Sequence, residues 1–247
     1  MHEPLVPAPL VFRDDGTPYS PRHDDIYHSA AGALSQARHV FLNGNGLPER
    51  WRGKPRFNVL ETGFGMGINF LATWAAWRID PQRPAALHFI SVEKYPFNAA
   101  DLRRAHAAIF DDASVMPLAD TLAAAWPVLV TGIHRIELEQ RAVTLTLAFG
   151  DVIDVMPRLK QDGTTADAIY LDGFAPARNP DMWTPALFAS LAAIASDDAS
   201  FATYTSAGQV KRALLQNGFE YRKVRGFGGK RAMLVGKRAS VSDEIVL

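Results

Sequence analysis

Residues 59–70 read VLETGFGMGINF: an apolar run, an acid, three alternating glycines, then apolar residues at helical spacing. This string describes a strand that passes through a tight turn into a helix. Gly63 and Gly65 let the backbone take unusual φ, and Gly67 allows close approach where the helix starts. The spacing is G-x-G-x-G, not the G-x-G-x-x-G of the dinucleotide fingerprint. Glu61, at the end of the strand, would repel a pyrophosphate, whereas a carboxylate there can accept hydrogen bonds from an ammonium group. The bland alternative is a glycine turn that binds nothing.

Outward from this turn the pattern is regular. Apolar runs of strand length lie at 57–61, 87–93, 143–149, 167–172 and 200–204, with helical patterns at 68–78, 97–110, 152–159, 185–195 and 206–217. Strands apolar on both faces and alternating with helices imply a parallel sheet covered on both sides. Two places break the alternation. Residues 111–142 hold a helical stretch near 118–126, then a strand and a turn at 139–141 leading into the 143–149 strand. At the end of the chain, strands at 219–225 and 231–236 flank GFGGK, a hairpin and not a crossover. Five parallel strands closed by an antiparallel hairpin give an α/β, Rossmann-like methyltransferase sheet, mostly parallel, where a dinucleotide dehydrogenase supplies a sixth parallel strand. Residues 1–56, rich in Pro, Gly, Asp and Arg with one helix expected over 29–42, read as an N-terminal appendage packed on a catalytic domain at 57–238; residues 239–247 read as a tail or truncated linker.

The 247 residues suit one large α/β domain. Their 26 basic and 26 acidic residues cancel, so bulk charge names no partner. The distribution is uneven, however: from Lys211 to Arg238 there are nine Lys and Arg against Glu220 alone, which places any polyanion contact toward the C-terminus. The absence of cysteine excludes disulfides, thiolate metal sites and cysteine nucleophiles. The start, with Pro4, Pro7 and Pro9, is not a signal peptide, and no run approaches a membrane span, so a soluble, cytoplasmic protein is expected.

Four constellations carry chemistry. The glycine turn with Glu61 suits the methionine part of S-adenosylmethionine. Glu93, at the tip of the second strand, suits ribose hydroxyls, or else it pairs with Lys94 or faces solvent. Asp151, after the 143–149 strand, either caps the next helix or accepts from an adenine amino group, and the two are compatible. The stretch 170–183, YLDGFAPARNPDMW, starts at a strand end; Asp172 projects into the crevice and Phe174, Pro176 and Pro180 stiffen the loop, unless Asp172 merely caps it. His23, Asp24, Asp25 and His28 match no zinc spacing and read as a surface cluster, so no metal is expected. The basic hairpin, with Arg222, Lys223, Arg225, Lys230 and Arg231 around three glycines and Phe227, suits phosphates or is a solvated face.

ETGFGMGINF, LHFISVEKYP, LDGFAPARNPDMW, TYTSAG and GFGGKRAML, with FRDDGTPYSPRHDDIYHS and RHVFLNGN upstream, resemble the methyltransferase of the MnmC/MnmD family. The resemblance runs from about residue 10 to 237; the LDGFAPA-x-NPDMW string is highly specific, the glycine turn alone is not. Two departures are modest: Arg178 stands where the family often has Lys, and SDDAS precedes the 200–204 strand where a Pro-Gly-Gly turn is usual. The resemblance implies methyl transfer from S-adenosylmethionine to the primary amine of 5-aminomethyl-(2-thio)uridine at the wobble position of tRNA. Many relatives continue into a flavin-dependent oxidoreductase domain that prepares this amine, and nothing in the chain resembles a flavin site.

With the resemblance, the expected cofactor residues are Glu61, Gly63, Phe64, Gly65, Gly67, Glu93, Lys94 and Asp151. Asp172 is the expected catalytic group, and Phe174, Tyr204, Arg178, Lys230 and Arg231 are expected to bind tRNA, Phe174 and Tyr204 by sandwiching the uracil. Rival readings are a small-molecule amine methyltransferase or aminopropyltransferase on the same scaffold, a nicotinamide-dependent oxidoreductase, and a non-catalytic partner of a tRNA-modifying complex.

Overall fold

The structure is a computed structural model that describes residues 3–239, so the expected tail at 239–247 lies outside the described residues except for Ala239. The chain opens with a small antiparallel sheet of β1 (Val11–Phe12), β2 (Pro18–Ser20) and β3 (Asp25–Ile26). Helix α1 (Ala33–Ala37) follows and widens into a π-helical turn at Arg38–Leu42. The helix therefore starts later than the expected 29: Gly32 takes φ 117, and its N–H closes a turn onto the Ser29 carbonyl at 3.1 Å.

The large sheet is built from β4 (Arg56–Thr62), β5 (Ala86–Glu93), β6 (Gly132–Leu138), β7 (Val143–Phe149), β8 (Ala166–Leu171), β9 (Ala195–Thr203), β10 (Phe219–Val224) and β11 (Met233–Arg238). Between them run α2 (Ile68–Ile79), α3 (Ala99–Ile109), α4 (Met116–Ala124), α5 (Val152–Gln161), α6 (Pro185–Ile194) and α7 (Gly208–Gln216). The spatial order is β10-β11-β9-β8-β4-β5-β7-β6. β4, β5, β7, β8 and β9 are parallel, as the sequence pattern implies, while β6 and β11 run antiparallel to their neighbours. The terminal hairpin does more than cap the edge, since β11 inserts between β9 and β10. SDDAS is not a loop: β9 begins at Ala195 and takes in this stretch, with a register irregularity against β8 near Ala166.

Each face of the sheet carries a core. Phe57, Val59, Phe89 and Tyr170 pack toward α2 and the 33–51 stretch, whereas Leu60, Ile90, Ile169 and Phe201 pack toward α5, α6 and α7. The Phe41 ring stacks on that of Tyr170 with centroids 5.3 Å apart, so the N-terminal segment supplies part of the main core. From β4 the chain moves to β5 and β7, then returns to place β8 on the other side of β4. The crevice beyond the carboxyl ends of β4 and β8, where the direction of winding reverses, is where open α/β sheets bind ligands.

Candidate active site

At the end of β4, Gly63, Gly65 and Gly67 take φ of 83, 53 and 72. A Cβ at Gly63 would lie 3.2 Å from the Gly173 Cα, and one at Gly67 only 2.7 Å from Phe64 Cζ, so glycine is needed for close approach as well as for φ. Glu93, at the tip of β5, binds this turn: Oε2 accepts from the Gly65 N–H at 2.9 Å and Oε1 from the Tyr95 N–H at 2.7 Å. Burial raises the Glu93 pKa, opposed by these N–H donors. Lys94 does not pair with Glu93; its Nζ donates to Asp151 Oδ2 at 2.7 Å. Asp151 also caps α5 by accepting from the Ile153 N–H at 3.1 Å, and the Lys94 ammonium heads the interactions that hold its pKa below the usual carboxylate range. Gly63, Phe64, Gly65, Glu93, Lys94 and Asp151 all line one large pocket.

Glu61, the expected ammonium acceptor, is not among the residues that line that pocket. It is fully buried, with Oε1 accepting from Asn69 Nδ2 at 2.9 Å and Oε2 from the Ser91 hydroxyl at 2.7 Å. Period two along β4 puts Glu61 on the face of Phe57 and Val59, beneath α2, and Ser91 is its register partner on β5. Burial pushes its pKa well above the ordinary glutamate value.

Asp172 follows β8 and lines the pocket. Its Oδ1 accepts from the Gly173 N–H at 2.8 Å and its Oδ2 from Asn69 Nδ2 at 2.7 Å, while Thr62 Oγ1 ties its backbone to β4. Burial lifts its pKa to about 6, against the Gly173 and Asn69 donors and the nearby Lys230 ammonium.

The aromatic groups are arranged differently from the expected sandwich. Phe174 is at the pocket wall, stacked on His23 with centroids 4.4 Å apart and met edge-on by Tyr27 at 5.0 Å. Tyr204 instead donates its hydroxyl to the Gly173 carbonyl at 2.8 Å and carries Lys230 Nζ 4.3 Å from its ring centroid. Lys230, though exposed, has its pKa lowered by desolvation against the pull of Asp25 and Asp172. Arg178 pairs with Asp24 at 2.7 Å, and Arg231 is exposed.

The sequence reading missed Asn69 and the whole N-terminal wall. Ser20, His23, Tyr27, His28 and Gln36 line the pocket, and Asp25 Oδ2 accepts from the Ala175 N–H at 2.9 Å, strapping the segment to the Asp172 loop. His28 donates through Nδ1 to the Ser29 carbonyl at 3.0 Å, which leaves a buried Nε2 without a partner among the described residues. The His and Asp cluster serves as wall and strap, and no group of three or more His, Asp or Glu among the described residues is arranged to hold a metal ion. No helix among the described residues is long and apolar enough to cross a membrane.

A mainly parallel sheet with an inserted antiparallel strand, a glycine turn after its first long strand, an acid at the tip of the next and a carboxylate across the crevice define a Rossmann-like class I methyltransferase. A family model described as S-adenosyl-L-methionine-dependent methyltransferase matches residues 113–239, just over half of the 247, and the chain belongs to this family. The residues present fit that cofactor: the Cβ-free turn admits it closely, and Glu93 and Asp151 present acceptors on the same wall. The tRNA 5-methylaminomethyl-2-thiouridine biosynthesis bifunctional protein MnmC of Paraburkholderia phytofirmans is 62% identical over 236 residues, covering 96% of this chain and 36% of the relative. Its Paraburkholderia phymatum counterpart is 63% identical over 239 residues, 97% of this chain and 36% of its own length. The chain therefore spans about a third of these relatives. The crystal structure of MNMC2 from Aquifex aeolicus superposes with a TM-score of 0.73 over 95% of this chain and 71% of the other at 22% identity, a likeness of fold.

Proposed function

We propose that this chain methylates the primary amine of 5-aminomethyl-2-thiouridine at wobble position 34 of tRNA, giving 5-methylaminomethyl-2-thiouridine. The observation that carries the reading is the 62% identity, across 96% of the chain, to a relative named for biosynthesis of that nucleoside. S-adenosylmethionine supplies a methyl group already activated on a sulfonium, so positioning is most of what the protein contributes. Glu93 takes the ribose hydroxyls, its carboxylate being oriented by the Gly65 and Tyr95 N–H groups. Asp151 accepts from the adenine amino group, and the turn at 63–67 meets the methionine part.

The amine must be neutral to attack, yet an alkylamine in water titrates near the lysine value of about 10. Asp172 holds the ammonium in line and takes its proton directly or through water, and the half-buried setting disfavours the charged amine. Phe174 stacks on the uracil, while the exposed cations of the C-terminal hairpin follow the tRNA backbone. A flavin-dependent oxidoreductase, as a further domain or a separate protein, supplies the aminomethyl group.

Labelled methyl transfer to tRNA from cells lacking the activity, followed by nucleoside analysis, tests this. Label is expected in 5-methylaminomethyl-2-thiouridine alone; labelling of a free amine without tRNA, or none, overturns it. Asp172→Ala should lower kcat about 100-fold or more while S-adenosylmethionine Kd changes only a few-fold.

A further inference from the structure

Glu61 and Asp172 share one amide. Asn69, on the first turn of α2, gives one hydrogen of its Nδ2 to Glu61 Oε1 at 2.9 Å and the other to Asp172 Oδ2 at 2.7 Å. Because the two hydrogens of an amide diverge, the accepting oxygens are about 5 Å apart. Two carboxylates so close in a buried setting do not both ionise at neutral pH; they titrate as a pair. Their surroundings are unequal. Glu61 has no exposure and faces neutral Ser91 and Asn69, the Tyr170 ring and two further carboxylates, those of Asp172 and Glu93. Asp172 has the Gly173 N–H and, nearby, the Lys230 ammonium beside Tyr204, with Asp25 close to that ammonium.

We propose that Asn69 is a positioning residue for methyl transfer: by bridging the pair it fixes the Asp172 carboxylate at the pocket and leaves the pair's proton on Glu61 and its negative charge on Asp172. A protonated Glu61 fits the hydrogen bonds already present. Oε1 goes on accepting from Asn69, and Ser91 Oγ accepts from the carboxyl as readily as it donates to a carboxylate. Before transfer the substrate's proton passes from the ammonium nitrogen to the ionised Asp172, leaving the nitrogen lone pair free; the Glu61 proton stays where it is. This inference rests on the proposed amine methylation, with Asp172 as the group that serves the amine.

Two measurements separate the inference from that reading. The first is the carboxyl carbon titration of Asp172 by NMR in protein with 13C-labelled aspartate, assigned with Asp172→Asn; it needs no turnover. Asn69→Ala should move the Asp172 midpoint up by about one unit, because the proton is then shared with Glu61 unmediated, and adding Glu61→Gln should bring it back down. An Asp172 midpoint that ignores both substitutions overturns the inference whether or not tRNA is methylated. The second is the kcat profile. In Asn69→Ala the acid limb should shift with the NMR midpoint while S-adenosylmethionine Kd changes little; an equal loss of kcat at every pH, or a parallel loss of cofactor binding, marks a purely structural Asn69 and overturns it. Absence of methyl transfer by the unmodified protein removes the proposed function and leaves the NMR result readable.

Discussion

At the scale of residues, Asp172 lines the pocket as the sequence pattern suggests, while Glu61 lies beneath α2. An acid just ahead of a glycine turn looks like a ligand group, but the alternation of β4 turns Glu61 under α2, and that alternation was legible in FNVLET. Asn69 gave no comparable signal, because its position across from Asp172 depends on how α2 leaves the turn. In the proposed reaction Asp172 sets the pH dependence. With its pKa at about 6, it is anionic above that value and protonated below it, so kcat at saturating substrates should fall as pH drops through 6. A profile flat from pH 5 to 8 would contradict its role as proton acceptor. Glu61 affects stability instead. Its folded pKa lies above its unfolded one, so the native state binds more protons; this contribution is fully present below the unfolded value near 4.5 and is lost as pH rises. Glu61→Gln, which keeps an acceptor for Asn69 and a donor for Ser91, should therefore raise Tm at pH 8 and leave it nearly unchanged at pH 4.5, as read by thermal unfolding across that range.

At the scale of elements, the segment before β4 completes the pocket. Asp25 accepts the Ala175 N–H, Asp24 pairs with Arg178, and His23 lies against Phe174, so the loop after β8 is held by residues about 150 positions earlier. Removing the charged acceptor with Asp25→Ala should cost about 1–3 kcal/mol and leave the Ala175 amide unsatisfied. Hydrogen exchange should then quicken over 173–178 and KM for tRNA should rise more than S-adenosylmethionine Kd; unchanged exchange there would show that the strap does not restrain the loop. The parallel strands and helices were legible because each repeats a local pattern of apolar residues. The strap was not, since β1, β2 and β3 are two or three residues long and leave no periodicity to read. What it buries is set by long-range docking, as the late start of α1 also is.

At the scale of the whole molecule, a chain with no net charge carries a surplus of +8 on its last described elements, from Lys211 to Arg238. Those cations are not equivalent. Arg222, Lys223, Arg225, Lys230 and Arg231 are all exposed on the hairpin of β10 and β11, and the Lys230 ammonium also lies over the Tyr204 ring, near enough to Asp172 to lower its pKa. The sequence showed a basic hairpin, but not that one of its exposed members also reaches toward the site. Neighbouring cations should therefore answer different measurements. Arg231→Ala should weaken tRNA binding and reduce the slope of log K against log salt by about 0.7–0.9 for each phosphate no longer neutralised, with the pH profile of kcat unmoved. Lys230→Ala should do the reverse: its ammonium helps hold Asp172 ionised, so removing it raises the Asp172 pKa, and the acid limb of kcat should move to higher pH with little change in salt slope. If both substitutions altered the salt slope alike and neither moved the acid limb, Lys230 would act only as its exposed neighbours do, and the hairpin would have no electrostatic link to Asp172.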